Sequence, residues 1–330
     1  MKKMKKRMLS IIGIILVSSL LFLSDLEVVW QTILGIGIKH IIILCLMQIV
    51  TIFLLNLQWY TISKRLNVII SFKDIFDINM TGTFVECITP AVKAGGELTK
   101  VIMFSSKFGI SKGCSSAIVG IQKIVSLTSF VLLNFISLFL FLTVYNANVN
   151  ISIILLSLIF IIVMSGSLFI LVFKNNKVES LICKLPFVKN KEKVIGFFTQ
   201  FRESIRTIKK RNSFFMTQFI LSMIIWMFFA IKAFYIIRMI NLDVSFIVVS
   251  MITYITYMIG MLPLLPGGLG TFEGSLIMLL TPFGASLDQG ITVALVLRFV
   301  TFWFVFLLSG AYLGSKALLK KRIKGKLQCN

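Results

Sequence analysis

The chain consists largely of apolar runs separated by short polar or basic stretches. A stretch of about twenty apolar residues spans a bilayer as an α-helix, which satisfies its own backbone polar groups. The pattern predicts an all-α polytopic integral membrane protein with about seven full transmembrane helices. The runs that indicate these crossings are 8–24, 32–57, 113–144, 151–173, 214–237, 244–262 and 290–313.

Two further segments, 74–106 and 263–282, are too polar for simple crossings and too apolar for solvated loops. They contain "TPAVKAGGE" (89–97) and "LPGGLGTFEG" (265–274). In both motifs a glycine pair follows a proline, and a glutamate stands seven residues after that proline. Gly/Pro-interrupted segments in two halves of a chain are typical of transporters built from repeats. We predict two broken or re-entrant segments, and an internal repeat is left open.

The composition supports a membrane protein and limits the chemistry that the chain can perform. Hydrophobic residues make up 58% and charged residues 14% of the chain, with a mean hydropathy of +0.98. We predict a single transmembrane domain over 1–330 and no soluble catalytic domain. The five cysteines form no CxxC pair, and His40 is the only histidine. A single histidine excludes a histidine-rich zinc site, and we expect no metal and no cofactor.

Positive charge is concentrated at the ends of the chain and in one loop. The net charge is +22, with basic clusters in Met1–Leu9, in the loop 174–213 and in the tail from Lys316. The positive-inside rule places all three clusters in the cytoplasm, where they face anionic lipid headgroups. We predict a multi-pass protein of a bacterial-type inner membrane with both termini cytoplasmic. Within the loop, 191–211 indicates an amphipathic helix on the inner face.

The two interrupted segments are the candidate site. Irregular backbone at membrane depth persists only inside protein or beside a wet cavity, and a helix that starts there directs free N–H groups at an anion. A lipid phosphate is the obvious anion. The candidate residues for binding a lipid headgroup are Lys93, Gly95, Gly96, Glu97, Lys100, Pro266, Gly267, Gly268, Gly270, Glu273 and Arg298.

Several charged residues allow more than one interpretation. Glu97 and Glu273 complement the dipole of the helix that follows them, or they bind a headgroup amine, a proton or an ion. Arg298 pairs with Glu273, holds a phosphate or snorkels to the interface. Lys123 lies about ten residues into its span, and we expect Lys232, near the end of a span, to snorkel.

Three stretches make the sequence similar to a known family. "TPAVKAGGELTKVIMF", "LPLLPGGLGTFEGSLIMLL" and "ALVLRFVTFWFVFLLSG" resemble the lysylphosphatidylglycerol synthase transmembrane family. That family includes the flippase portion of the multiple peptide resistance factor, which is linked to antibiotic resistance. Members often carry a Glu-Arg pair in the span after the first motif, where this sequence has Gln122 and Lys123.

The resemblance implies a lipid translocase that binds and flips an anionic or aminoacylated phospholipid such as lysylphosphatidylglycerol. We expect the headgroup to lie between the two broken segments. One alternative is a phosphatidylglycerol lysyltransferase, or a subunit of one, which uses lysyl-tRNA; otherwise no nucleic acid is expected. The other alternative is a lipid-binding regulatory protein without transport. The sequence leaves a homodimer open.

Overall fold

The computed structural model describes most of the chain as helices. It covers residues 26–89, 94–144, 191–209, 212–262, 268 and 270–328, together with isolated positions between 155 and 183. Among these residues, four helices are long and apolar enough to cross a membrane: Trp30–Arg65, Lys112–Leu140, Ser213–Met239 and Leu287–Leu318. The predicted crossing 8–24 and most of 151–173 lie outside the described residues. The all-helical membrane class is confirmed, and the count of seven crossings stays a prediction.

The helices are named here in chain order. They are α1 (Leu26–Arg65), α2 (Phe72–Ile88), α3 (Ala94–Phe108), α4 (Lys112–Val144), α5 (Lys191–Lys209), α6 (Asn212–Met239), α7 (Phe246–Gly260), α8 (Thr271–Leu280), α9 (Leu287–Arg298) and α10 (Phe304–Gln328). A π-helical turn, Phe299–Trp303, joins α9 to α10 without a break in the chain direction. The first predicted interruption separates α2 from α3, and the second separates α7 from α8.

Serine hydroxyls begin several of these helices. Ser71 accepts a hydrogen bond from the backbone N–H of Asp74 at 3.1 Å, and Ser245 accepts one from Val248. Ser286 and Gln289 form a reciprocal capping box at the start of α9. Each hydroxyl satisfies a backbone donor that the first helical turn leaves unpaired, which fixes where each helix starts after its turn.

Two apolar cores hold the helices together. One core is formed around α6, α7, α8 and α9 and includes Trp226, Tyr254 and Phe272. The other lies among α1, α2, α3 and α4 and includes Trp59 and Phe104. The second of these cores surrounds the first interruption, and the first surrounds the second interruption and also includes Ile36 of α1 and Phe130 of α4.

The amphipathic helix predicted at 191–211 is α5. Its apolar side chains Phe198, Phe201 and Ile205 are buried, and they recur at helical spacing on one face. α5 passes so close to Gly113 that a Cβ there would lie 2.6 Å from the carbonyl oxygen of Phe197. This helix thus packs its apolar face against α4 and leaves its polar face exposed.

A buried carboxylate joins α2, α3 and α10. Asp77 on α2 accepts hydrogen bonds from Lys107 at 3.0 Å and from Lys316, and Tyr312 donates to it at 3.4 Å. Asp74 accepts a hydrogen bond from Lys107 at 2.6 Å. Burial alone would raise the pKa of Asp77, but the hydrogen bonds from Lys316 and Lys107 outweigh it and hold that pKa below its ordinary value.

Acid is therefore expected to detach α10 from α2. A carboxylate whose pKa is lowered on folding stabilises the protein above its unfolded pKa of about 4, and this contribution is lost as the pH falls through the folded value. Thermal stability in detergent, followed between neutral pH and pH about 3, should fall steeply in the wild type. The Asp77→Asn variant should be less stable than the wild type at neutral pH, and its thermal stability should depend less on pH. An unchanged slope in the variant would contradict this role of Asp77.

Candidate functional site

The first interruption carries a buried carboxylate between two lysines. Glu97 stands in the first turn of α3. Its Oε1 atom accepts from Lys123 of α4 at 3.1 Å and from Lys100 at 3.4 Å. Its other oxygen, Oε2, is buried and has no hydrogen-bond partner among the described residues. We call Glu97, Lys100 and Lys123 the Glu97 group.

Aromatic and acidic neighbours complete the surroundings of this group. The ammonium of Lys100 lies 5.0 Å from the centroid of the Trp59 ring, a cation–π contact. Glu86, near the end of α2, is close enough to interact electrostatically with Lys123. Lys93, which the sequence analysis placed at this site, lies outside the described residues. The described part of the site therefore offers two cations and a carboxylate with an open acceptor position.

Glycines allow α2 and α3 to approach each other at this point. A Cβ on Gly96 would lie 2.6 Å from the carbonyl oxygen of Gly82 and 2.7 Å from the Cβ of Glu86. A Cβ on Gly82 would lie 2.6 Å from the Lys100 side chain. A Cβ on Gly95 would lie 2.6 Å from Oγ1 of Thr89. The predicted glycine pair thus has a packing reason: it lets the Glu97 turn sit directly against α2.

Gly96→Ala is accordingly expected to destabilise the protein by about 1–3 kcal/mol, because the added methyl group meets rigid backbone. Gly274→Ala is the matched control, since nothing lies within 4 Å of a Cβ added there. In a helix that control is expected to gain about 0.5–1 kcal/mol. Thermal unfolding in detergent measures both. Equal effects of the two substitutions would contradict the close packing of α2 and α3.

Buried amides connect the Glu97 group to the surrounding helices. Gln122, next to Lys123, donates to Gln58 at 3.1 Å, and Gln58 donates to the carbonyl of Gln218. Asn79 donates to Asn56 at 3.1 Å. Such paired amides remove the penalty of burying polar groups and orient α4 and α6 relative to α1.

The second interruption carries a buried ion pair. Oε1 of Glu273, in the first turn of α8, lies 3.2 Å from Nε of Arg298 at the end of α9. Its Oε2 accepts a hydrogen bond from the backbone N–H of Gly270 at 2.7 Å. The Arg298 guanidinium lies 5.3 Å from the centroid of the Phe272 ring and 5.6 Å from that of Phe302. We call Glu273, Arg298 and the Gly270 N–H the Glu273 group.

The structure therefore combines two of the roles considered for these residues. Glu273 caps its own helix, which satisfies a free N–H of the first turn, and it also pairs with Arg298. Arg298 is buried, so it does not snorkel. Gly268 and Gly270 have φ values of +67° and +79°, a region that favours glycine. Pro266 and Gly267 lie outside the described residues.

The two halves place their ion pairs at corresponding positions. In the first half a Ser71-capped helix precedes the break, and in the second half a Ser245-capped helix does so. The glutamate then follows in the first turn of α3 or α8. Its partner, Lys123 or Arg298, is in each case the twelfth residue of the next helix, counting from Lys112 or Leu287. This correspondence supports the internal repeat that the sequence left open.

Each of the two groups pairs residues from one half of the chain. Each carboxylate pairs with a cation from its own half of the chain, and each group packs against its own apolar core. The reason is local: a short helix that folds back after its break brings its first turn against the next helix of the same half. The described residues thus give two charged groups, and a shared headgroup pocket between the two interruptions stays a prediction.

Lys123 and Trp59 contact the charged side chains of this site but were not among the residues predicted to bind the headgroup. The signal for Lys123 was available, because a lysine ten residues into an apolar span needs a partner. Its distance from Glu97 in the sequence, 26 residues, concealed the pairing. Nothing in the sequence around Trp59 distinguishes it from a residue of the apolar core.

These helices and the two charged groups inside them define a multi-pass helical membrane protein. The family model described as the lysylphosphatidylglycerol synthase TM region matches residues 10–309. The chain therefore belongs to this lysylphosphatidylglycerol synthase transmembrane family, and the resemblance noted in the sequence is confirmed.

Archaeal proteins are similar to this chain over nearly their whole length. A UPF0104 membrane protein of Pyrococcus horikoshii is 25% identical over 325 residues, which cover 93% of this chain and 96% of the relative. A UPF0104 membrane protein of Methanocaldococcus jannaschii is 24% identical, covering 90% of this chain and 91% of the relative. One from Methanothermobacter thermautotrophicus is 21% identical, covering 92% and 93%.

Proposed function

We propose that the protein binds the headgroup of a charged phospholipid at the Glu97 group and moves the lipid between leaflets. The observation that carries this proposal is the second oxygen of Glu97, which is buried and has no hydrogen-bond partner among the described residues. An unsatisfied buried carboxylate oxygen is unfavourable, so the site is suited to a ligand that brings its own donor. A headgroup amine is such a donor.

The lysines supply the complementary charge for a phosphate. Lys100 and Lys123 both lie within 3.4 Å of Glu97 Oε1, and lysine binds phosphate as a compact point charge. When a headgroup with both a phosphate and an amine binds, its phosphate can pair with the two lysines and its amine with the Glu97 carboxylate. No charge is then left unpaired. Lysylphosphatidylglycerol has both chemical groups, and phosphatidylglycerol has only the phosphate.

An apolar flank beside the site favours a lipid over a soluble substrate. Leu98 follows Glu97 directly, and Ile102 lies one turn further along α3; each is 63% exposed. Ile88, at the end of α2, is also exposed. Acyl chains can cover these side chains while the headgroup reaches the charged group, because exposed apolar surface on a membrane protein is matched by lipid tails.

Reconstitution of the purified chain into vesicles tests this function. The probes are acyl-labelled lysylphosphatidylglycerol, phosphatidylglycerol and phosphatidylcholine, and dithionite quenches the label in the outer leaflet. We expect the protected fraction to fall in vesicles with protein, fastest for lysylphosphatidylglycerol. Binding without leaflet exchange would instead support a regulatory lipid-binding protein, and exchange at the rate of empty vesicles would contradict transport.

A further inference from the structure

Lys232 is a buried lysine that the proposed headgroup sites do not use. It lies on α6 with its side chain 0% exposed, so the snorkelling expected from the sequence is wrong. Its ammonium donates to Oε1 of Gln48 and, at 3.3 Å, to Oγ1 of Thr51, both on α1. It also lies 4.3 Å from the centroid of the Phe229 ring. α1 encloses this lysine before it can reach an interface.

The surroundings of Lys232 are neutral. Lys100 and Lys123 share the carboxylate of Glu97, whereas the hydrogen bonds of Lys232 go to an amide and a hydroxyl. The helices packed against α6 carry other titratable or charged groups, none of which hydrogen-bonds to Lys232 in the described part of the chain: Glu27, Lys39, His40, Cys45, Tyr60, Lys64, Arg65, Lys112, Cys114, Lys123, Tyr254, Tyr257, Asp288 and Arg298.

The geometry accommodates both protonation states of this side chain. A neutral amine has two N–H donors, and Lys232 has two oxygen acceptors in Gln48 and Thr51. In the described part of the chain, the remaining charge of the ammonium is balanced by the ring of Phe229 and by no carboxylate. Removing the third proton therefore keeps both of these hydrogen bonds and removes a buried charge, which makes the neutral state accessible.

A chain of titratable groups leads away from Lys232. Tyr235 lies one turn further along α6, on the same face, and its hydroxyl is 2.7 Å from Nδ1 of His40 on α1. His40 is partly exposed. Histidine and tyrosine are suited to relay a proton in a membrane, so this pair is the nearest titratable relay along α6 for a proton that leaves Lys232.

Aromatic contacts link Lys232 to the Glu273 group. Phe229, under the lysine, lies 5.1 Å from the Tyr257 ring, and Tyr257 lies 5.1 Å from Phe272. Phe272 packs under Arg298. A change of charge at Lys232 therefore acts on the same packed aromatic cluster that supports the second ion pair.

From these contacts we infer that Lys232 is a proton-exchange site that couples lipid movement to a proton gradient. This inference rests on the proposed transport function and names its energy source. In one step the ammonium releases a proton toward His40, on one side of the membrane, and keeps the electron pair on Nζ. In the return step the amine takes up a proton from the other side and regains its charge. A proton moves between hydrogen-bonded groups and needs no cavity of ligand size, which suits a lysine that is fully enclosed.

The leaflet ratio of a labelled lipid under an imposed pH gradient tests this coupling. The probe is acyl-labelled lysylphosphatidylglycerol in vesicles containing the full chain, with nigericin added to collapse the gradient. If one proton accompanies each lipid, about one pH unit shifts the steady-state ratio about tenfold. Lys232→Met and Lys232→Arg should both abolish the shift, since neither exchanges a proton at neutral pH. Lys39→Met, an exposed lysine of α1, should keep it.

The outcomes separate the coupling from transport itself. Wild-type exchange with no shift of the ratio overturns the coupling and leaves transport standing. No wild-type exchange at all contradicts transport, and the coupling fails with it. A shift that persists in both Lys232 variants overturns the assignment to Lys232.

A more conservative variant tests the proton route in case the substitutions of Lys232 prevent folding. Tyr235→Phe removes only the hydroxyl that contacts His40. We expect proton movement, followed with pyranine trapped in the vesicles, to slow while the final leaflet ratio stays at the wild-type value. Proton movement at the wild-type rate in this variant would overturn the route through Tyr235 and His40.

Discussion

Glu97→Gln is expected to weaken binding of lysylphosphatidylglycerol about tenfold to a hundredfold while leaving phosphatidylglycerol binding in place. A hydrogen bond to a charged group contributes about 1.5–3 kcal/mol, and each 1.4 kcal/mol is about tenfold in affinity. The amine loses this partner in the variant. The lipid phosphate can still bind Lys100 and Lys123, which in the variant are no longer paired with a carboxylate.

The same variant is also expected to be less stable. Breaking a buried ion pair by removing one charge costs about 3–5 kcal/mol, and we expect the lower end because the Lys123 side chain remains 28% exposed. Lipid binding measured in nanodiscs, together with thermal unfolding, separates the two effects. Glu203→Gln, on the exposed face of α5, is the matched control. Equal losses for both lipids would contradict an amine site at Glu97.

Glu273→Gln and Arg298→Met are each expected to destabilise the protein by about 3–5 kcal/mol, because each leaves one buried charge without its partner. The glutamine keeps an acceptor for the Gly270 N–H but loses the charge that faces Arg298. The double variant should recover much of this loss, since a buried pair replaced by neutral groups is often close to neutral in stability.

A surface pair in the same chain provides the comparison. Arg238 and Asp243 are 2.5 Å apart, with 89% of the Asp243 side chain exposed, and their double-mutant cycle should give no more than about 1 kcal/mol. Thermal unfolding of the four variants in each cycle measures both couplings. Additive effects at Glu273 and Arg298 would contradict the pair. If Glu273→Gln leaves lipid exchange unchanged, the role of Glu273 is helix capping and pairing alone.

Much of the architecture followed from local pattern. The apolar runs predicted the helices because each must satisfy its backbone within itself in lipid. The Pro and Gly residues predicted both interruptions, and α2 ends before the first one while α7 ends before the second. The amphipathic period at 191–211 predicted α5. These features depend on neighbours within a few residues, which a sequence displays directly.

The charged groups were predictable only in part. The sequence identified Glu97, Lys100, Glu273 and Arg298 as candidates, because charges in apolar segments need partners. It did not assign Lys123 to Glu97. It also did not show that each carboxylate pairs with a cation of its own half. Which cation reaches which carboxylate depends on how the helices fold back and cross.

The amino-acid sequence by itself determined that this is an all-helical membrane protein of the lysylphosphatidylglycerol synthase transmembrane family, broken at two glycine-rich points. The tertiary structure decided which charged side chains are enclosed and which residues each of them contacts. Lys232 illustrates the difference: its position near the end of a span predicts snorkelling, but packing of α1 against α6 encloses it with Gln48 and Thr51. Burial is a property of three-dimensional neighbours, and those neighbours are up to 184 residues away in the chain.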